Sequence, residues 1–245
     1  MDSGYYAAMT GLLARMQALD TAAENLANAQ TPGFRAEREY FRGVLLDQAG
    51  MGSQLGQTVN QYGLLGGDRL SMRQGPLEPT GNPLDLAIEG QGFFAIQTQN
   101  GVRYTRDGSF HRSQIGMLVT ARNEPVLSDG GKPIPVPPGD VSVGAAGDLS
   151  VDGGTVARLG VYTFAPAVEL AAEGANRYVA PADAKAVLSK DALVHEGAVE
   201  SANQDAVQGT LNLIVMQRQA EMMQKALTIF HTEFNKFASE DLAKV

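Results

Sequence analysis

Near the start of the chain, Tyr5, Met9, Leu12, Met16, Leu19, Ala23 and Leu26 recur at spacings of four and three. That spacing draws one narrow apolar stripe down a helix, as in a heptad seam. Ala7, Ala8, Ala14, Ala18, Ala22 and Ala27 fill in with the strongest helix former. The pattern predicts a helix from residue 5 to about residue 28, ~36 Å long. Thr31-Pro32-Gly33-Phe34 stops it, because proline lacks the donor a helix needs and biases Thr31 away from the α region.

A second heptad pattern lies near the other end, in Leu213, Met216, Ala220, Met223, Leu227, Phe230, Phe234 and Phe237. Asn203 is the expected N-cap, with Asp205 in the first turn, where the helix dipole favours an anion. Leu211, Ile214 and Val215 fall off this seam. A helix that is apolar on several faces has to be buried on several faces, and one antiparallel partner covers a single stripe. Contact with helices of more than one neighbouring subunit is therefore expected.

Between the helices the period changes to two. Residues 35–83 read as an extended connector, rich in Gly and Gln from 50 to 67 and punctuated by Gly75-Pro76, Pro79 and Gly81-Asn82-Pro83. Residues 93–97 and 102–105 are strand-like and flank Asn100-Gly101, which predicts a type I′ hairpin turn with positive φ at both central residues. Asp107-Gly108 predicts another turn, and the four prolines between 132 and 140 predict extended chain. Short alternating runs at 141–143, 149–151 and 156–164 follow, separated by Gly147-Asp148 and Asp152-Gly153-Gly154. Residues 168–174 read as a short helical turn and 178–180 as a strand. The expected fold class is mainly β with terminal α-helices. An antiparallel β domain over 84–200 would be inserted between helical ends, 1–34 and 201–245, that pair as a coiled coil.

Composition narrows the function. Apolar residues make up 44% of the 245, enough for a proper core. The 19 basic and 27 acidic residues give a net charge of −8, which argues against binding nucleic-acid phosphates or docking on anionic lipid. With no cysteine, disulfides, thiolate catalysis and thiolate metal sites are excluded. No apolar run reaches 18 residues, so no membrane insertion is expected. The first basic residue is Arg15, so the start does not look like a cleavable signal peptide. His111, His195 and His231 each lack a second histidine at ligand spacing and read as solvated or structural. Gly90-Gln91-Gly92 precedes a strand rather than a helix, so it reads as a tight turn and not as a phosphate cradle. No catalytic residue, metal ligand or cofactor site is expected, and the chain does not read as an enzyme.

The candidate functional residues are instead assembly contacts. On the first helix these are Tyr5, Met9, Leu12, Met16, Leu19 and Leu26. Asn25 and Asn28 lie off the seam and either cap the helix end or make polar contacts to neighbouring chains. On the second helix they are Leu211, Leu213, Met216, Met223, Leu227, Phe230 and Phe234. A rival reading is a soluble binding module, in which the helices form a stalk within one chain and the β domain holds a ligand.

Several ordered blocks resemble one family. Residues 25–34 (Asn-Leu-Ala-Asn-Ala-Gln-Thr-Pro-Gly-Phe) are similar to the N-terminal signature of bacterial flagellar rod and hook proteins. Residues 80–94 (Thr-Gly-Asn-Pro-Leu-Asp-Leu-Ala-Ile-Glu-Gly-Gln-Gly-Phe-Phe), 104–110 (Tyr-Thr-Arg-Asp-Gly-Ser-Phe) and 116–120 (Gly-Met-Leu-Val-Thr) resemble their shared β domain. Residues 196–203 (Glu-Gly-Ala-Val-Glu-Ser-Ala-Asn) and 216–221 (Met-Gln-Arg-Gln-Ala-Glu) resemble the C-terminal block. The length is similar to that of the basal-body rod proteins rather than the longer hook protein. The resemblance implies terminal helices packed into a tube with those of other rod subunits, and a β domain outside it. It also implies passage through the flagellar type III export apparatus without a cleaved signal, a place in the periplasmic rod, and transmission of torque.

Overall fold

The structure, a computed structural model, describes residues 2–42 and 64–242. Most of the Gly- and Gln-rich connector therefore lies outside the described residues. The described chain is mainly β with one long helix near each end, and it divides into two compact units.

Of the described residues, the helical unit comprises 2–27, 37–42, 64–69 and 206–242. Its first helix, α1, spans Asp2–Ala27, and its second, α2, spans Ala206–Leu242. The two helices pack on one another, and strands Glu37–Arg42 and Leu64–Leu70 pair as a small sheet beside them. On α2 the half-buried residues are Leu213, Met216, Ala220, Met223 and Leu227, the seam the heptad spacing picks out. On α1 the expected seam is only partly covered, with Leu12, Leu19 and Leu26 half-buried, and the most buried positions lie beside it. Ala14, Ala18 and Thr21 are buried, whereas Met9 and Met16 are 40% and 52% exposed. A Cβ on Gly11 would lie 3.9 Å from Cε of Met223, so at this point α1 meets α2 through its small residues. Two stripes a few residues apart both fit a heptad on an alanine-rich helix, and the small one admits the closer backbone approach.

The β unit comprises residues 28–36 and 70–205. Its largest sheet has six strands in the spatial order Ala171–Gly174, Arg177–Val179, Gly101–Thr105, Phe93–Thr98, Val161–Thr163 and Val187–Leu188. Strand Phe93–Thr98 is buried on both faces. Phe94 and Ile96 enter a main core with Leu86, Ile88, Phe110, Leu118, Val126, Ile134 and Leu149, while Phe93 joins a smaller core with Leu170 and Tyr178. The proline-rich stretch is extended, and Ile134 and Val136 between its prolines are fully buried. Ile134 donates to Val126 and its carbonyl accepts from Leu118, so the prolines beside it need no donor of their own.

Two local expectations change. The hairpin after Thr98 pairs Thr98 with Gly101, so its connection is Gln99-Asn100, and Gly101 (φ 101°) alone has positive φ. The Thr98 hydroxyl sets this turn one residue early, accepting from Asn100 N at 3.2 Å and donating to Gly101 O at 2.7 Å. Residues 171–174 form a strand rather than a helical turn. The turn at Ala175 and Asn176, with φ of 54° and 55°, folds them back on Arg177–Val179. The turn at Asp152-Gly153 (φ 50° and 79°) and the tight turn at Gly90 and Gly92 form where expected.

Gly108 shows how close the backbone approaches are, because a Cβ there would sit 1.6 Å from the carbonyl oxygen of Leu86. Gly108→Ala should therefore cost about 3 kcal/mol or more in urea unfolding. At Gly153, where nothing lies within 4 Å of the added Cβ, the same substitution should cost only the ~1 kcal/mol of a left-handed residue. Equal shifts in the two midpoints would refute this account.

Candidate functional site

Among the described residues no group of three or more His, Asp or Glu could hold a metal ion. His195 Nε2 lies 2.6 Å from Glu89 Oε2 in an exposed cross-strand pair. The polar groups that do converge are elsewhere, where the chain enters and leaves the β unit.

Their centre is Glu200, 1% exposed. Its Oε1 accepts from Gly75 N at 2.9 Å and pairs with Arg35 Nη2 at 3.0 Å. Its Oε2 accepts from Arg106 Nη1 at 2.8 Å. Arg35 and Arg106 are themselves 2% and 3% exposed. Arg35 also donates through Nη1 to the Arg73 carbonyl, and Arg106 reaches the carbonyls of Ile88 at 3.0 Å and Gly90 at 2.5 Å. The Arg106 guanidinium lies over the Phe93 ring, 5.4 Å from its centroid. Burial lowers the pKa of Arg106 to about 10 against the pull of Glu200, with Arg35 adding to the lowering, and burial also lowers that of Arg35. Both stay charged near neutrality, so two guanidinium groups share one carboxylate away from water.

Asn203 binds the same segments through its amide. Its Oδ1 accepts from Ala36 N at 2.7 Å, and its Nδ2 donates to Ser71 O at 2.9 Å and Arg73 O at 2.8 Å. Gly33 N donates to Glu200 O at 2.6 Å, Ser71 N to Ala36 O at 2.8 Å, and Asn176 Nδ2 to Pro32 O at 2.8 Å. Gly33 (φ 69°) and Gly75 permit this approach. A Cβ would sit 2.1 Å from Asp107 N at the first and 2.0 Å from Ser201 O at the second. Residues 32–36, 71–75 and 200–203 are thus stitched to the sheet at one joint. Asn203 is not the N-cap that spacing suggests, because α2 begins at Ala206 and Asp205 stands immediately before it.

The predicted assembly residues lie in the helical unit, apart from Asn28, which begins the β unit. Leu12, Leu19 and Leu26 are half-buried, Met9 and Met16 exposed. Asn25 is held within the unit, its Nδ2 donating to Glu37 O at 2.8 Å and its Oδ1 accepting from Glu37 N at 2.9 Å. Asn28 closes the turn after α1, where Thr31 N donates to its carbonyl at 3.0 Å. On α2, Leu213, Met216, Met223 and Leu227 are half-buried and Leu211 is 53% exposed. The side chains of Tyr5, Phe230 and Phe234 lie outside the described residues.

Sequence reasoning did not single out Arg35, Arg106 or Glu200 and gave Asn203 only a capping role, although Arg106, Glu200 and Asn203 fall inside the blocks at 104–110 and 196–203 and Arg35 directly follows the one at 25–34.

Glu200→Gln would leave two buried guanidinium groups without their counter-charge, and should lower stability by about 3–5 kcal/mol in urea titration. Arg158→Gln, in an exposed pair with Asp148, should change it by less than about 1 kcal/mol. A Glu200→Gln midpoint equal to wild type would remove the joint's assigned role.

Comparison with known proteins bears on the family of the chain. Residues 6–35 match the family model described as flagella basal body rod protein, and residues 87–151 the one described as flagellar hook protein FlgE/F/G D1 domain. The flagellar basal-body rod protein FlgF of Caulobacter vibrioides is 34% identical, with all of both chains covered. FlgF of Salmonella typhimurium is 32% identical over 93% of this chain and 94% of its own. The rod protein FlgG of Buchnera aphidicola (subsp. Schizaphis graminum) is 30% identical over 89% of this chain and 92% of its own.

Proposed function

The chain belongs to the flagellar basal-body rod protein family, and on that premise we propose that it is a structural subunit of the rod. It assembles through its terminal helices with other rod subunits into a helical tube that transmits torque across the periplasm. It reaches the rod through the flagellar export apparatus without a cleaved signal. Its work is mechanical rather than catalytic.

The observation that carries the assembly reading is the apolar surface left on the helices after they pack on each other. On α2, Leu211, Ile214 and Val215 are 45–53% exposed, and Val207, Met222 and Ile229 more so. On α1, Met9, Leu13 and Met16 are exposed. Contiguous apolar surface of this kind marks a contact site. Repeated head-to-tail contacts that do not close generate a helix rather than a ring.

The rival, a self-sufficient binding module, draws support from the packing of α1 on α2 within one chain. It gives no role to the outward faces. Leu211→Gln separates the two readings. Introduced into a strain lacking the native protein, it should reduce swarming and the recovery of complete basal bodies. The urea midpoint of the purified variant should stay within about 0.5 kcal/mol of wild type. Gln219→Ala, a polar exposed position on the same helix, should swarm normally. Full motility of Leu211→Gln would favour the rival.

A further inference from the structure

A cavity of about 250 Å³ opens beside the buried joint. Arg35 and Arg106 form part of its wall, and Met72, Phe93, Phe164 and Pro166 supply much of the rest. No acidic side chain lines it, because Glu200 lies outside its lining. We propose that this cavity is a binding site for a carboxylate carried on a small apolar body. The inference concerns the β unit alone and is independent of the assembly reading.

Three observations converge on that ligand. The first is charge, since two buried guanidinium groups share a single carboxylate and one positive charge is left over. A surplus charge away from water is costly, and a monoanion entering the cavity balances it. The second is hydrogen bonding. Each Nη nitrogen of the two arginines has a partner in Glu200 or in the carbonyls of Arg73, Ile88 and Gly90. The Nε–H of each is buried with no acceptor among the described residues. Native structures rarely leave such donors unmet, and a guanidinium edge suits the planar fork of a carboxylate. The third is shape, because aromatic and aliphatic walls in a cavity this small favour an apolar stem over a hydrated polyanion such as a phosphate ester. A protein can present this chemistry as an acidic side chain among apolar neighbours, and a metabolite as a free carboxylic acid.

The test uses the full chain with ¹⁵N-labelled arginine. The Nε–H signals of Arg35 and Arg106 are followed during titration with sodium 3-phenylpropanoate and with its neutral isostere, 3-phenylpropanamide. The acid should shift both signals and saturate with a Kd of about 1 mM, and the amide should bind at least about tenfold more weakly. Met72→Trp narrows the cavity from its rim without touching the buried ions. It should weaken binding by about tenfold or more while leaving the urea midpoint unchanged. A parallel titration with acetyl-Leu-Glu-amide identifies the source. Tighter binding than the free acid assigns the site to a protein side chain, and weaker binding assigns it to a small molecule. Equal responses to acid and amide, or no response to any probe at about 50 mM, would overturn the proposal.

Discussion

The β unit depends on one buried carboxylate. Glu200 pairs with Arg35 from the N-terminal segment and Arg106 from the central sheet, and accepts from the backbone of Gly75. Few other interactions in the described chain bring together so many separate stretches. Desolvating three ions can outweigh their attraction, so the triad is a poor source of net stability by itself. Its strength is selectivity. An apolar cluster tolerates a shifted register, whereas a carboxylate with two guanidinium partners and a backbone donor accepts one arrangement. Asn203 adds three bonds to the same segments and leaves them still fewer alternatives.

The two arginines make the same site asymmetric. Glu200 balances one of the two positive charges, and Arg35 and Arg106 both line the neighbouring cavity. Burial has already lowered the pKa of both guanidinium groups, so the fold carries part of the cost of holding charge there. The structural joint and the cavity are two faces of one electrostatic arrangement.

The sequence revealed most where a single local rule decides the outcome. Pro32 ended α1, Asp152-Gly153 formed a hairpin turn, and the prolines between 132 and 140 kept the chain extended while burying Ile134 and Val136. It was less informative where two local rules compete. On α1 the stripe of large residues and the stripe of small ones both repeat with heptad spacing, and only the packed partner chooses between them. At Asn100-Gly101 the glycine rule competed with the Thr98 hydroxyl, which moved the turn by one residue. The joint was hidden for a different reason. Arg35, Arg106, Glu200 and Asn203 are far apart in sequence, and their pairing is a property of the closed fold, which no periodicity encodes.

The choice of stripe on α1 bears on what the helices can do next. If Met9 and Met16 had also faced α2, α1 would present less apolar surface outward. Because Ala14, Ala18 and Thr21 are the buried positions, Met9, Leu13 and Met16 remain outside, and Leu211, Ile214 and Val215 stay outside on α2. Burying Ala14 and Ala18 on α1 leaves Met9, Leu13 and Met16 outside, while larger residues such as Leu213 and Met223 are half-buried on α2. Methionine suits such a surface, since its unbranched thioether adapts to differently shaped neighbours. A subunit that must meet unlike helices on different sides gains from a small-residue contact within the chain and a large, adaptable one outside it.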